Sequence, residues 1–155
     1  MKMHVKPIGV IRTSFKQKEN TPIQGKQSPD SIGTIVVFKE YAPGLKDIET
    51  FTHIYLLYYF HRAGDVVLVR PTFLDDTPHG VFASRHPCRP NGIGLTIVAL
   101  KKRKGNTLIV SGIDVLDGTP LLDIKPYIPR FDCHRNASNG WVSHVKNRRK
   151  PKGRE

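Results

Sequence analysis

A single all-β domain, a β-barrel with long loops and few short helices, is the fold class this sequence predicts, and three observations predict it. Short runs of β-branched and aromatic residues recur along all but the ends of the 155 residues. Thirteen glycines and twelve prolines interrupt nearly every interval between those runs. No amphipathic stretch of helical length stands clear of these breakers. Many short strands with no helices to cover a parallel sheet favour a closed antiparallel barrel over an α/β layer.

The runs are taken in chain order. Ile8–Ile11 and Thr34–Phe38 are short and β-branched, with polar or glycine-containing neighbours. His53–Phe60 has a continuous apolar centre, which predicts a buried strand with Tyr55, Tyr58 and Tyr59 in core packing. Val66–Arg70, Gly80–Ser84, Ile93–Leu100, Leu108–Val115 and Leu121–Ile124 complete the set. A short helical turn is expected around Gly44–Thr50. Lys16–Ser31 is polar and carries Pro22, Gly25 and Pro29, so it reads as a long loop. With 38% hydrophobic residues the chain can bury one core. The barrel domain is assigned to residues 1–145 and a basic C-terminal tail to 146–155.

Charge narrows the partners. Twenty-five Lys and Arg against 13 Asp and Glu give +12, an excess that suits a polyanion such as nucleic acid or an anionic membrane surface. The tail supplies +5 of it through Lys146, Arg148, Arg149, Lys150, Lys152 and Arg154 against one acid. Such a segment reads as solvated in the free protein and able to follow a phosphate backbone. The longest apolar run, Ile54 to Phe60, has seven residues, against roughly twenty for a membrane span, so no membrane association is expected. His4, Lys6, Pro7 and Arg12 break up the N-terminal apolar residues, which predicts no secretory signal and a cytoplasmic protein. Cys88 and Cys133 read as reduced thiols. Together with His86 and His134 they could supply four zinc ligands, but the adjacency of Cys133 and His134 fits tetrahedral spacing poorly, and no metal is assigned.

Three stretches are richer in special residues than a plain barrel needs. In Gly80–Gly94 a strand runs into a turn stiffened by Pro87 and Pro90 and carrying Arg85 and Arg89. Guanidinium forks held by such a turn suit carboxylate or phosphate; the alternative reading is that one of them pairs with a local Asp. In Asp114–Tyr127, Asp117-Gly118 marks a tight turn, and alternation places Asp123, Lys125 and Tyr127 on one face. In Phe51–Arg62, His61 and Arg62 sit where a buried strand emerges. Dinucleotide and phosphate-loop fingerprints are absent, and no Ser occupies a nucleophile elbow. Two classes remain from residues alone: an enzyme built on the arginine turn, or a non-catalytic RNA-binding barrel that stacks bases on Tyr and Phe.

Taken together, four segments resemble the TsaA-like (TrmO) family of tRNA methyltransferases. They are Ile8-Gly-Val-Ile-Arg12; Phe51-Thr-His-Ile-Tyr55 with Phe60-His61; Gly80-Val-Phe-Ala-Ser-Arg85 with Arg89-Pro-Asn91 and Ile93-Gly-Leu95; and Asp114 with Asp117-Gly-Thr-Pro120 and Asp123-Ile-Lys-Pro-Tyr127. This chain departs from the family pattern at Arg85-His86-Pro87, at Asn91-Gly92-Ile93-Gly94 and in the Arg70–Asp76 loop.

The resemblance implies a homodimeric barrel that binds S-adenosylmethionine near the subunit contact. It implies methyl transfer to N6 of threonylcarbamoyladenosine beside the anticodon of threonine tRNA. By matching positions, Pro22, Ile23, Gln24, His61, Arg62, Arg85, Leu95, Asp117, Gly118, Thr119 and Pro120 would meet the cofactor, with Arg85 on the methionine carboxylate. Asp123 and Tyr127 would be the candidate proton acceptors, and Lys125 would meet a phosphate or the threonine carboxylate of the acceptor.

Overall fold

The computed structural model describes residues 1–23 and 28–154. Six antiparallel strands close into a barrel in the order β1-β2-β7-β6-β3-β8. They are β1 (Gly9–Arg12), β2 (Ile32–Val37), β3 (His53–Tyr59), β6 (Ile93–Lys104), β7 (Thr107–Ser111) and β8 (Thr119–Pro126). A separate two-stranded ribbon, β4 (Val69–Arg70) with β5 (His79–Gly80), lies in the loop between β3 and β6.

Alternation builds the core. Ile11, Ile35, Ile54, Leu56, Val98, Leu108, Val110 and Leu121 point inward from six strands and are almost wholly buried. At roughly 1.5–3 kcal/mol for each large aliphatic side chain taken out of water, this inner layer is the main force holding the barrel shut. Two 3-10 segments, Lys39–Leu45 and Ile48–Thr50, plug one end with Leu45 and Ile48.

Two bulges reset which residues face inward. In the β3–β8 pairing Leu57 opposes Asp123 while Tyr58 opposes Leu121, so Leu122 is the extra residue. Leu121 therefore faces the core, whereas Asp123 and Lys125 share the outer face with Leu57 and Tyr55. In the β6–β7 pairing Leu100 opposes Val110 and Lys102 opposes Ile109, so Lys101 is the extra residue.

Three predicted strands are shorter or differ in kind. Gly80–Ser84 is strand only at Gly80; Val81–Ala83 form a 3-10 turn tied by Ser84 N–H and Oγ to the Val81 carbonyl, with Phe82 left exposed. Val66–Arg70 pairs only at Val69 and Arg70 because β5 offers just two residues. Leu108–Val115 stops at Ser111, where Gly112 takes a φ of 79° that breaks the ladder. The expected helical turn at Gly44–Thr50 is present as parts of the two 3-10 segments.

The C-terminal segment does not stand off in solvent. Arg148 and Arg154 both reach Asp76, at 3.1 and 2.9 Å, and Arg154 also donates to the carbonyls of Thr72 and Asp75. Lys150 donates to the Lys18 and Thr21 carbonyls and lies over the Phe73 ring. Carbonyls and one carboxylate of the 72–76 loop thus receive part of the charge that composition alone left in water.

Candidate active site

At the end of the barrel opposite the 3-10 plug, loops frame a cavity of about 800 Å³. That is a size suited to a cofactor-sized molecule. Its floor is aromatic. Tyr58, 6% exposed, meets Phe60 edge-on with centroids 5.4 Å apart. The two rings fit only because residue 94 of β6 is glycine: a Cβ there would lie 2.2 Å from Tyr58 and 2.8 Å from Phe60. Burial pushes the Tyr58 phenol far above its ordinary range; nearby Asp114 raises it further and Arg85 partly offsets this. Asp114, Tyr58 and Arg85 thus bring a carboxylate, a neutral hydroxyl and a guanidinium to one side of the cavity.

The arginine turn is divided in its duties. Arg89 donates to the Ser84 carbonyl at 2.8 Å and so holds the turn together. Arg85 is exposed at the cavity wall. His86 is buried beneath the turn: its Nδ1 accepts from the Cys88 N–H, and its Nε2 faces the Arg154 carbonyl at 3.1 Å. Both ring nitrogens are therefore engaged. Cys88 is buried and Cys133 exposed, and no cluster of three possible metal ligands forms among the described residues.

Of the predicted cofactor-contacting residues, Pro22, Ile23, His61, Arg62, Arg85, Leu95 and Thr119 line this one cavity. Gln24 lies outside the described residues. His61 favours its neutral form, because partial burial and the adjacent Arg62 both lower its pKa. Arg62 is steered by a 3.0 Å hydrogen bond to the Lys16 carbonyl.

Asp117, Gly118 and Pro120 stand behind the wall and do not line it. Asp117 accepts from the Thr13 N–H at 3.0 Å and from Lys16 Nζ at 2.5 Å, with Arg12 at 3.6 Å. Gly118, at φ 78°, makes the turn and donates its N–H to Ile11. Pro120 pairs with Val10 on β1. Together they fasten the bend so that Leu116 and Thr119 face the cavity, with Thr119 Oγ1 donating to the Leu116 carbonyl.

Asp123, Lys125 and Tyr127 do share a side of the chain, but it is the outer wall of the barrel. Asp123 and Lys125 pair at 3.0 Å, and Tyr127 packs on Tyr55 with centroids 5.6 Å apart. None of the three lines the cavity of its own chain. The rows Asp123–Leu57–Leu95 and Lys125–Tyr55–Ile97 cross three strands of one outer face. At about 4.8 Å between strands, Asp123 lies roughly 10 Å from cavity-lining Leu95.

Sequence reading missed several lining residues. Phe82 is 77% exposed at the cavity, and Trp141 stacks on His79 at 3.8 Å while its Nε1–H donates to the Ala83 carbonyl. Phe73, Asp114 and Lys150 also line it. The lone tryptophan in an otherwise polar stretch was the one available signal for the 140–144 segment.

A Pyrococcus abyssi protein, described as a probable S-adenosyl-L-methionine-binding protein, is 50% identical over 137 residues, covering 88% of this chain and 74% of that one. The mouse tRNA (adenine(37)-N6)-methyltransferase is 38% identical over 139 residues, covering 85% of this chain and 32% of the mouse protein. The crystal structure of TrmO from Pseudomonas aeruginosa superposes with a TM-score of 0.77 at 39% identity, over 91% of this chain and 63% of that one. The chain thus spans under two thirds of that solved structure and about a third of the mouse protein. The family model of the tRNA-methyltransferase O N-terminal domain matches residues 10–133, the stretch that holds the barrel and most of the cavity wall, and the chain belongs to this family.

Proposed function

We propose that this protein is an S-adenosylmethionine-dependent methyltransferase acting on N6 of the adenosine beside the anticodon of tRNA, with threonylcarbamoyladenosine of threonine tRNA as the acceptor. The observation that carries this reading is that Arg85 and the Thr119 bend, distant in sequence, line one cavity with Pro22, Ile23, His61, Arg62 and Leu95. The relatives' names for S-adenosylmethionine binding and tRNA adenine methylation support it.

The residues fit such a cofactor. Arg85 offers a fork for a carboxylate, the Tyr58–Phe60 floor offers aromatic faces for a sulfonium, and the loops offer carbonyl groups. When bound, S-adenosylmethionine supplies an electrophilic methyl carbon. The chain's own task is to align that carbon with the acceptor nitrogen and to exclude water. Phe82, exposed at the cavity, offers an apolar face on which an extruded base can stack.

The acceptor nitrogen must lose a proton, and we assign its uptake to Asp123 or Tyr127, with Lys125 on a phosphate or on the acceptor's carboxylate. This assignment requires a second copy of the chain. Ile93, Leu95, Ile97 and Tyr59 are each more than two-fifths exposed on the outer face that borders the cavity. This apolar stripe, flanked by the paired charges of Asp123 and Lys125, is better suited to a homodimer contact than to RNA. A partner seated there would cover Leu95 and bring its own Asp123 row beside the cavity.

Calorimetry and nucleoside mass spectrometry test the reading together. S-adenosylmethionine should bind the purified protein and raise its melting temperature, and labelled methyl should appear on the adenosine beside the anticodon. Light scattering should give a dimer that Ile97→Lys dissociates. A barrel that binds tRNA but ignores the cofactor would instead be a non-catalytic RNA-binding protein.

A further inference from the structure

β6 carries a second surface whose chemistry the cavity does not use. From Gly94 to Leu100 its even-numbered residues face the core; the bulge at Lys101 then shifts the phase by one. Beyond it Arg103 opposes buried Leu108 and turns inward, where it donates to the Leu45 carbonyl at 2.9 Å and to Glu49 at 3.0 Å. Lys102 and Lys104 oppose Ile109 and Thr107 and face outward, and Lys101, the bulged residue, is exposed as well. Without the bulge, Lys102 and Lys104 would be aimed into the barrel.

None of these three lysines has an ion pair among the described residues, whereas Arg103 is matched by Glu49. Exposed Lys39 and Lys46 stand in the 3-10 plug at the same end, and the acids there are Glu40, Asp47 and Glu49. Cations therefore outnumber carboxylates at this end, most densely on the strand. Strand geometry sets the separation: seven residues from Leu95 to Lys102, at roughly 3.4 Å each, is about 24 Å. Lysine ammoniums are compact charges suited to phosphate oxygens and carry no base readout.

We propose that Lys101, Lys102 and Lys104 form a second RNA contact that holds the stem backbone of the tRNA whose loop enters the cavity. The inference rests on the functional reading above and adds to it a contact surface remote from the reacting base. An RNA duplex leaving the cavity along the barrel wall would meet these lysines, whereas a short anticodon stem-loop would end before reaching them.

The test is steady-state methyl transfer and equilibrium binding by wild type and the triple variant Lys101→Gln, Lys102→Gln, Lys104→Gln, on full-length tRNA and on a short anticodon stem-loop. For full-length tRNA, KM and Kd should rise about tenfold or more with kcat unchanged. The logarithmic salt slope should fall by roughly 2–3, at about 0.7–0.9 per released phosphate contact. Stem-loop kinetics and S-adenosylmethionine affinity should not move. Unchanged full-length binding, or an equal loss on both RNAs, would overturn the proposal. So would a triple variant that keeps full tRNA affinity but loses the wild type's binding to anionic phospholipid vesicles, which would assign the lysines to a membrane. Lys102→Gln alone, expected to change the slope by about 1, serves if the triple variant fails to fold. A wild-type protein that binds tRNA without methylating it defeats the functional reading, and the binding comparison still decides the lysines' role.

Discussion

Gly94 lies so close beneath Tyr58 that a methyl group on its Cα would come within 2.2 Å of the ring. The missing side chain of one strand is what lets the neighbouring strand lay an aromatic floor. Gly94→Ala should overpack this floor and cost about 1–3 kcal/mol of stability. Denaturant unfolding should register that loss, and calorimetry should show S-adenosylmethionine affinity falling at least about tenfold as Tyr58 and Phe60 shift. Unchanged affinity would mean that the floor takes no part in binding.

Arg85→Ala should weaken S-adenosylmethionine binding by about 1.5–3 kcal/mol, the scale of a hydrogen bond to a charged group. Arg85→Lys should recover only part of that, because an ammonium lacks the planar fork. Both variants should melt near the wild-type temperature, since the side chain is exposed. Arg89→Ala should behave differently, loosening the turn through the lost bond to Ser84.

Asp117 gives an acid-side prediction. Hydrogen bonding from Lys16 is the largest cause lowering its pKa below the usual 3.8, aided by the Thr13 N–H and by the charges of Lys16 and Arg12 and opposed by partial burial. A depressed carboxyl stabilises the fold fully above its unfolded pKa and loses that contribution as pH falls through its lower folded value. Asp117→Asn should therefore cost about 0.5–1.5 kcal/mol near neutrality, kept small because Lys16 and Arg12 are exposed. The difference from wild type should shrink below pH 3.8, as read from melting temperature against pH.

His86 changes stability in the same direction as Asp117, over a higher pH interval. Burial is the main cause lowering its pKa below 6.5, with Arg70, Arg89 and Lys18 adding positive charge around it and the Arg154 carbonyl partly opposing them. Its neutral form therefore stabilises the fold above pH 6.5, and that contribution is lost as pH falls through the lower folded value. Wild-type melting temperature should decline over that interval more steeply than that of His86→Gln. Equal slopes would show that protonating His86 costs the fold nothing.

The barrel was legible because its β-branched runs are short and its breakers are strong, but the continuous apolar run of β3 hid its two faces. Only Ile54, Leu56 and Tyr58 point inward, while Tyr55 and Tyr59, expected in the core, stand on the outer wall because neighbouring side chains of a strand alternate. What remained hidden depends on pairing. Leu122 and Lys101 look like ordinary strand residues, yet each is the extra member of a bulge and decides which neighbours reach solvent. The shared side of Asp123 and Lys125 could be read from spacing, but not that it is the outer wall. Likewise Asp117 was visible as a turn, while its role in fastening Thr13 and Lys16 depends on contacts across about a hundred residues of chain. Lys150 reaches the cavity from a tail whose composition pointed to solvent or a phosphate backbone, and Trp141 reaches it from the end of the stretch assigned to the barrel.

The phase shift at Lys101 makes that residue the one member of β6 the ladder can lose without reversing its faces. Its removal would join Leu100 to Lys102, leaving Lys102 opposite Ile109 and Arg103 opposite Leu108 with its hold on the Leu45 carbonyl. A codon deleted at Lys101 should leave soluble expression intact, whereas one deleted at Arg103, which would bring a lysine opposite buried Leu108, should abolish it.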